Sequence, residues 1–164
     1  MTFENEKTAL RIVSGGQTGA DRSALDWAIS QGVPHGGWCP RGRKAEDAVI
    51  PNCYQLQETE TDDYAERTER NVMDSDGTVI FTVDRALVAG SKLTWELAAI
   101  RRKPVLHLHA DSPQPGLQLA AFIRKHRIQV LNVAGSRASE EAAVGSFVAQ
   151  TLDGAFEELT SGTR

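Results

Sequence analysis

The chain has 164 residues, with 18 Lys and Arg against 22 Asp and Glu, 40% hydrophobic and 24% charged residues, which is an ordinary globular composition. One domain of this length buries about 70% of the surface of its unfolded chain, so residues 1–164 are expected to form a single domain without a disulfide or metal staple. Its apolar stretches are far shorter than the roughly 20 residues of a membrane span, its polar N-terminus is unlike a secretion signal, and its net charge of −4 without a basic stripe argues against duplex nucleic acid.

The only two cysteines, Cys39 and Cys53, are not at metal-ligand spacing. They indicate a reducing, cytoplasmic location and no structural zinc. Cys39 is interpreted as a buried, reduced structural thiol rather than a nucleophile. Between Gln57 and Asp76 there are eight acidic and two basic residues, so the rest of the chain is slightly basic and leaves room for local anion sites.

The first predicted elements of the chain are a strand, a glycine-rich turn and a helix. A strand is predicted at residues 10–14, and it ends in the turn 15–19. Apolar residues at helical spacing predict a helix over 20–31 that stops at Gly32. This is a βα unit with a glycine-rich turn.

The next region is predicted to be irregular. Short strands are expected around Trp38 and at 53–57, separated by a charged, glycine-containing loop at 40–51. One of the acidic residues 62–63 is expected to cap a helix that runs to about Met73.

A second βα unit follows. The β-branched run 77–83 predicts a strand that leads to another glycine-containing turn. A helix is expected from Gly90 to about residues 101–103, with cations at its carboxyl end. Pro104 stops this helix, and residues 104–108 predict the next strand.

The last part of the chain repeats the alternation. A helix is predicted at 116–126 and a strand at 128–133. Ser139 is expected to cap a final helix with Glu140 and Glu141 in its first turn. Strands separated by 10 to 15 helical residues predict an α/β, Rossmann-like, doubly wound and mainly parallel sheet, with helices on both faces.

Ligands of such sheets bind beyond the carboxyl ends of the strands, where the strand order reverses. With the order 3-2-1-4-5-6, the first strand would lie beside the fourth, and the turns 15–19 and 89–94 would face each other across one crevice. Glycines and helix N-termini favour a phosphate-bearing small molecule there. The candidate ligand-binding residues of the two turns are Gly15, Gly16, Gln17, Thr18, Gly19, Gly90, Ser91 and Thr94.

The first turn matches neither G-x-G-x-x-G nor a P-loop, so neither a dinucleotide dehydrogenase nor an NTPase follows. A merely tight turn is the alternative, because glycine also serves close packing. Asp21 and Arg22 could orient the loop or a ligand, or serve as a cap and a solvated surface charge.

A basic loop gives a further candidate. Arg41 and Arg43 could clamp phosphate through bidentate bonds, and Trp38 could stack on a heterocycle. The alternative is a solvated ion-pair network next to Glu46 and Asp47, with Trp38 in the core.

The helix at 62–73 carries a polar stripe, formed by Tyr64, Arg67, Thr68 and Asn71 at helical spacing. The stripe either faces water or lines a polar pocket. If it lines a pocket, Arg67→Ala should weaken ligand binding and barely change stability.

Several motifs occur in order along nearly the whole chain and together resemble the putative molybdenum carrier family. They are Gly15-Gly16-Gln17-Thr18-Gly19-Ala20-Asp21-Arg22, residues 35–43 with Ala45-Glu46-Asp47, Arg67-Thr68 with Asn71, Ser75-Asp76-Gly77-Thr78, and Gly90-Ser91 with Thr94. That family resembles molybdenum cofactor carrier proteins, within a Rossmann-like superfamily that includes lysine-decarboxylase-like phosphoribohydrolases and sensors of nucleotide-derived ligands.

The resemblance implies a carrier or storage protein without catalytic residues, whose cargo is molybdenum cofactor (molybdopterin), a pterin bearing a phosphate. The phosphate would bind the two glycine turns and the pterin would lie near Trp38 and the Arg41/Arg43 loop. No protein metal ligand is needed, because the dithiolene sulfurs of the pterin already hold molybdenum. A homo-oligomer, either a dimer or a tetramer, and molybdoenzyme acceptors are the implied partners.

Two alternatives stay open. One is a sensor of a nucleotide or ADP-ribose-type ligand. The other is an enzyme that cleaves the N-glycosidic bond of a nucleoside monophosphate, with Glu96 or Asp21 as general base. The phosphoribohydrolase motif P-G-G-x-G-T-x-x-E corresponds here to residues 88–96, which lack its proline and its later glycine. This departure argues against hydrolysis.

Overall fold

A computed structural model describes residues 10–161 of the chain; the N-terminal segment discussed above lies outside this range. The strands are β1 Arg11–Val13, β2 His35–Gly36, β3 Trp38–Cys39, β4 Lys44–Ala45, β5 Ala48–Val49, β6 Gln57–Glu58, β7 Gly77–Phe81, β8 Val105–Leu108 and β9 Val130–Gly135. The helices are α1 Ala20–Gln31, α2 Tyr64–Met73, α3 Ala89–Ile100, α4 Pro115–Lys125 and α5 Val144–Ser161.

Five strands form the central sheet, in the order β2-β1-β9-β7-β8, and every neighbouring pair is parallel. Alternate residues of the central strands, such as Val79 and Phe81 in β7, enter the main hydrophobic core with α1, α4 and α5. Helices α2 and α3 pack against each other, and α3 packs on β7, β8 and β9. The structure therefore confirms the doubly wound, Rossmann-like α/β fold with helices on both faces.

The strand order differs from the expected 3-2-1-4-5-6. The first strand, β1, does not pair with β7, because β9 lies between them and pairs with both. Strand β9 has six residues and buries Leu131, Asn132 and Val133, so it belongs at the centre of the sheet. The last strand of the chain thus separates the two strands that lead to the glycine turns.

Helix bounds agree with the sequence pattern for α1, which ends at the left-handed Gly32, and for α2, where Asp63 accepts a hydrogen bond of 2.9 Å from the Ala65 N–H. These expectations are confirmed because local spacing and capping determine them. Among the helices of residues 10–161, none combines the length and hydrophobicity that a membrane span requires.

The predicted start of the last helix is wrong. Ser139 does not cap a helix; its hydroxyl donates to Glu46 at 2.5 Å. The Glu141 carboxylate accepts from the backbone N–H groups of Val83 and Asp84 at 2.9 and 2.8 Å. Because these side chains tie the loop after β9 to other loops, α5 begins only at Val144.

Candidate functional site

A cavity opens at the carboxyl ends of the central strands, between α2 and α3. It is lined by the turn after β1, the start of α1, one face of α2, the first turn of α3, and the end of β9 with the loop that follows. The residues are Gly15, Gln17, Asp21, Tyr64, Arg67, Thr68, Asn71, Gly90, Ser91, Leu93, Thr94, Asn132, Val133, Ala134, Gly135, Ser136, Arg137 and Glu140. Both glycine turns therefore reach one cavity, although β9 lies between their strands.

Gln17 contributes a hydrogen-bond donor whose orientation is set by its neighbours. Its Oε1 accepts from the backbone N–H groups of Thr18 at 3.1 Å and Glu46 at 2.9 Å. With both bonds on the oxygen, the amide nitrogen Nε2 is buried and has no hydrogen-bond partner among residues 10–161. A buried donor without a partner is costly, so this amide is suited to an acceptor that residues 10–161 do not supply.

Arg67 and Asp21 form a buried ion pair beside Gln17. Their side chains are 11% and 8% exposed, and Nη1 of Arg67 lies 3.0 Å from Oδ2 of Asp21. Burial raises the pKa of Asp21, and the Arg67 charge and the hydrogen bond from the Gln17 N–H oppose that rise. The Nε of Arg67 is a second buried nitrogen without a partner in the described part of the chain.

The Arg67 side chain explains why residue 15 is glycine. A Cβ at Gly15 would lie 1.9 Å from Nη1 and 2.5 Å from Cδ of Arg67. The guanidinium therefore lies directly against the backbone of the first turn. The absence of a side chain at Gly15 therefore leaves space for the Arg67 side chain rather than for a ligand.

Several N–H groups of the first turn, which were expected to bind an anion, donate hydrogen bonds within the protein instead. The N–H of Gln17 donates to Asp21 at 3.2 Å, that of Thr18 to the Gln17 side chain at 3.1 Å, and that of Ala20 to the Ser136 carbonyl at 3.0 Å. Donors on this side of the cavity are thus mainly side-chain groups.

The second turn is more open. At the start of α3, the Ser91 hydroxyl donates to the Val88 carbonyl at 2.7 Å, and that of Thr94 donates to the Gly90 carbonyl at 2.9 Å. A Cβ at Gly90 would meet no atom within 4 Å apart from its two chain neighbours and the backbone of α3. The first turn of α3 therefore borders free space at the positive end of a helix dipole, which favours an anion.

The polar stripe of α2 lies on the cavity, since Tyr64, Arg67, Thr68 and Asn71 all line it. Asn71 is also structural, because its amide accepts from the Trp38 N–H at 2.8 Å and donates to the Trp38 carbonyl at 2.9 Å. This pairing fixes β3 against α2.

The other predicted side chains lie outside the cavity lining. Trp38 donates its indole N–H to Asp74 at 2.8 Å, and Arg43 donates to the carbonyls of Ile50, Pro51 and Tyr54. Arg41 is exposed in the same loop. The basic loop therefore folds on itself, because backbone carbonyls satisfy Arg43, which is neither the expected phosphate clamp nor the expected ion-pair network with Glu46 and Asp47.

Four residues of the first unit, Gly16, Thr18, Gly19 and Arg22, hold the turn rather than line the cavity. Arg22 pairs with both carboxylate oxygens of Asp47, at 2.5 and 2.7 Å, and the Thr18 hydroxyl donates to Glu46. Gly16 and Gly19 adopt positive φ angles of 78° and 81°, and a Cβ at Gly19 would lie 2.4 Å from the Ser136 carbonyl oxygen.

Sequence reasoning missed Arg137, which lines the cavity from the loop after β9. Its position a few residues beyond the predicted strand 128–133, at the carboxyl edge of the sheet, was the available signal. Tyr64 was named only as part of the stripe. Its ring lies beneath the Arg137 guanidinium, with the Cζ atom 4.9 Å from the ring centre.

Two candidate reactive groups lie outside this arrangement. Glu96 is exposed on α3 and does not line the cavity, so it is not positioned to act on a ligand there. Cys39 is buried, and burial raises the pKa of its thiol, as expected for a structural cysteine. Within residues 10–161, no three His, Cys, Asp or Glu side chains form a group that could hold a metal ion.

Comparison with known proteins gives two matches. The family model described as "Circularly permutated YpsA SLOG family" matches residues 12–156. The crystal structure of a protein named "Putative molybdenum carrier protein", from Syntrophus aciditrophicus SB, is 45% identical, with a TM-score of 0.84 over 90% of this chain and 96% of that chain. No curated protein matches the chain.

Proposed function

Because this chain belongs to the Circularly permutated YpsA SLOG family, and a 45% identical structure bears the name of a molybdenum carrier, we propose that it binds a phosphate-bearing small molecule, with molybdenum cofactor as its cargo. The ligand would occupy the cavity between the first turn and α3. The single observation that carries this proposal is a pair of buried nitrogens, Nε2 of Gln17 and Nε of Arg67, that belong to residues lining this cavity and have no hydrogen-bond partner among residues 10–161.

These donors fit the proposed cargo. A phosphate offers several acceptor oxygens and negative charge, so it would satisfy the Gln17 amide, add to the charge facing Arg67, and meet the dipole at the start of α3. Free space around Gly90 leaves room for the approach. The dithiolene sulfurs of the pterin would carry molybdenum itself, so the protein's part is to bind the phosphate and orient the cargo.

Gln17→Glu tests the proposal with little change in shape. The substituted side chain keeps an oxygen that can accept from the Thr18 and Glu46 N–H groups, but it replaces the cavity donor with a carboxylate oxygen. We expect phosphate binding, measured by isothermal titration calorimetry, to fall by about tenfold or more, because a charge-assisted hydrogen bond is lost and a like charge is added. Wild-type affinity in the variant would contradict the proposal.

The identity of the cargo is tested by mass spectrometry of small molecules released from gently purified protein. A pterin phosphate with molybdenum supports the carrier function. Detection of a nucleotide or an ADP-ribose-type molecule would instead support the sensor function. Incubation with nucleoside monophosphates in the same experiment tests hydrolysis, and release of free base would support the enzyme instead.

Self-association is also part of the proposal. Met73 of α2 and Leu117 of α4 are apolar side chains that are 42% and 45% exposed, and a second copy packed on either helix would remove this surface from water. Light scattering at tens of micromolar should give a dimer or tetramer, and a mass of about 18 kDa, that of one 17.8 kDa chain, would reject this part.

A further inference from the structure

Arg137 and its neighbours form a cationic group at the rim of the same cavity. The Tyr64 ring lies among three cations: the Lys44 Nζ is 4.9 Å from the ring centre, the Arg67 Cζ 5.3 Å and the Arg137 Cζ 4.9 Å. Cations near an aromatic face are favourable individually, but three cations around one ring also repel one another. A negative charge placed among them would relieve that repulsion.

The carboxylates near these three cations neutralise their charges to different degrees. Asp21 is within hydrogen-bond distance of Arg67 at 3.0 Å, whereas Asp62 is 3.7 Å from Lys44 and itself 72% exposed. The Glu140 carboxylate lies 4.0 Å from Nε of Arg137, and the Glu46 carboxylate also interacts electrostatically with Arg137. The Arg137 guanidinium donates no hydrogen bond to any residue between 10 and 161, so its donors remain available to a ligand.

Its backbone, in contrast, is held firmly. The Arg137 N–H donates to the Glu140 carboxylate at 3.1 Å, and the Arg137 carbonyl accepts from the N–H groups of Glu140 and Glu141 at 3.1 and 3.0 Å. The next residue, Ala138, donates its N–H to the Thr18 hydroxyl at 3.2 Å. Arg137 is therefore presented to the cavity from an anchored loop.

The two arginines are close enough to act on one ligand. Because both Cζ atoms lie about 5 Å from the centre of the same ring, they are at most about 10 Å apart. Two neighbouring phosphoryl groups can bridge this span when each contacts one guanidinium. With one phosphoryl group on Gln17 and Arg67, the Arg137 guanidinium is available to a second group linked to the first.

We propose that the ligand carries two linked phosphoryl groups, a diphosphate ester, with one group on Gln17 and Arg67 and the other on Arg137 at the Tyr64 rim. This inference rests on the proposed function, and it makes the diphosphate-linked form of the cargo, rather than the monophosphate, the one that the protein selects.

The test compares inorganic phosphate with pyrophosphate, each titrated into the full chain by calorimetry. Wild-type protein should bind pyrophosphate about ten- to a hundredfold more tightly than phosphate, the contribution expected of one charge-assisted contact. Arg137→Ala should remove this preference, so that the two dissociation constants agree within about twofold, and should weaken phosphate binding less than pyrophosphate binding. Arg137→Lys keeps the positive charge but cannot form a bidentate hydrogen bond, so it should retain part of the preference for pyrophosphate.

Arg85→Ala is the matched control, because Arg85 is 75% exposed and does not line the cavity; it should keep the full preference. Thermal melting of each variant verifies that it is folded. Equal affinity for the two anions in wild-type protein, or an unchanged preference in Arg137→Ala, overturns the inference while phosphate binding still supports the proposed function. If neither anion binds at millimolar concentrations, both the inference and the proposed function fail.

Discussion

The two glycine turns that border the cavity look alike in sequence but differ in structure. The first, after β1, is closed: Arg67 lies against Gly15, and the carbonyl of Ser136 lies where Gly19 would carry a side chain. The second, at the start of α3, leaves free space around Gly90. In the first turn glycine accommodates other parts of the protein, whereas in the second it leaves room that the protein does not fill.

This difference separates two roles that the sequence combined. The closed turn positions donors, namely the Gln17 amide and the Arg67 guanidinium, and the open turn offers a helix N-terminus and space. Substitution of a glycine in the closed turn should therefore affect stability most, and substitution of Gly90 in the open turn should affect ligand binding most.

The largest effect is expected from Arg67→Ala, which leaves the Asp21 carboxylate buried without its cation. We expect the free energy of unfolding, measured with urea at pH 7, to fall by about 3–5 kcal/mol, the usual cost of breaking a buried ion pair from one side. This corrects the expectation of barely changed stability. The double variant Arg67→Ala/Asp21→Asn is the control and should recover part of the loss; a single variant within about 1 kcal/mol of wild type would mean that the pair is not structural.

Gly19→Ala and Gly90→Ala compare the turns directly. Gly19 has a positive φ of 81°, and an added methyl group would contact a backbone carbonyl. Gly19→Ala should therefore lower the free energy of unfolding by about 3 kcal/mol. At Gly90, the same change should leave stability within about 0.5 kcal/mol but weaken phosphate binding, because its methyl group would enter the proposed anion space. Equal losses of stability in the two variants would remove the distinction between the turns.

A smaller effect is expected at Ala89, which has a φ of +47°. The left-handed conformation is costly for alanine, so Ala89→Gly should stabilise the protein by about 0.5–1 kcal/mol after the entropic cost of glycine is included. Ala99→Gly, the same change at an exposed position inside α3, should instead cost about 1 kcal/mol. Thermal denaturation should show a higher melting temperature for Ala89→Gly and a lower one for Ala99→Gly. A lower melting temperature for both variants would contradict backbone strain at Ala89.

The smallest effect concerns Glu46, which accepts from the hydroxyls of Ser139 and Thr18 and thereby ties the closed turn to the loop after β9. These hydrogen bonds lower the pKa of its carboxyl from the ordinary value of 4.5. The stability it contributes is therefore present above pH 4.5 and is lost as the pH falls through the lowered pKa.

Glu46→Gln should accordingly destabilise the protein by less than about 1 kcal/mol at pH 7, since the group is exposed. The difference from wild type should shrink below pH 4.5. Urea unfolding at pH 7 and at progressively lower pH measures this, and a difference that grows on acidification would have the wrong sign.

What the sequence predicted well was local. The bounds of α1 and the Asp63 cap of α2 follow from residues within one or two helical turns, and the structure confirms them. The polar stripe of α2 could be recognised by its spacing, but its burial could not, because that depends on α3 and the first turn packing around it.

Features set by distant parts of the chain were not predictable in this way. The central place of β9 depends on pairing across the whole sheet. Arg43 has the chemistry of a phosphate clamp, yet the carbonyls of its own loop satisfy it. The orientation of the Gln17 amide depends on the Glu46 N–H, 29 residues away, and no local pattern encodes that contact.

The most direct test of the account is a crystal structure of the protein with bound phosphate. We predict that the anion lies between Nε2 of Gln17 and the first turn of α3, within hydrogen-bond distance of the Gln17 amide and next to Gly90. A phosphate held instead by the Arg41/Arg43 loop beside Trp38, with the cavity between α2 and α3 free of it, would contradict the assignment of this cavity as the ligand site.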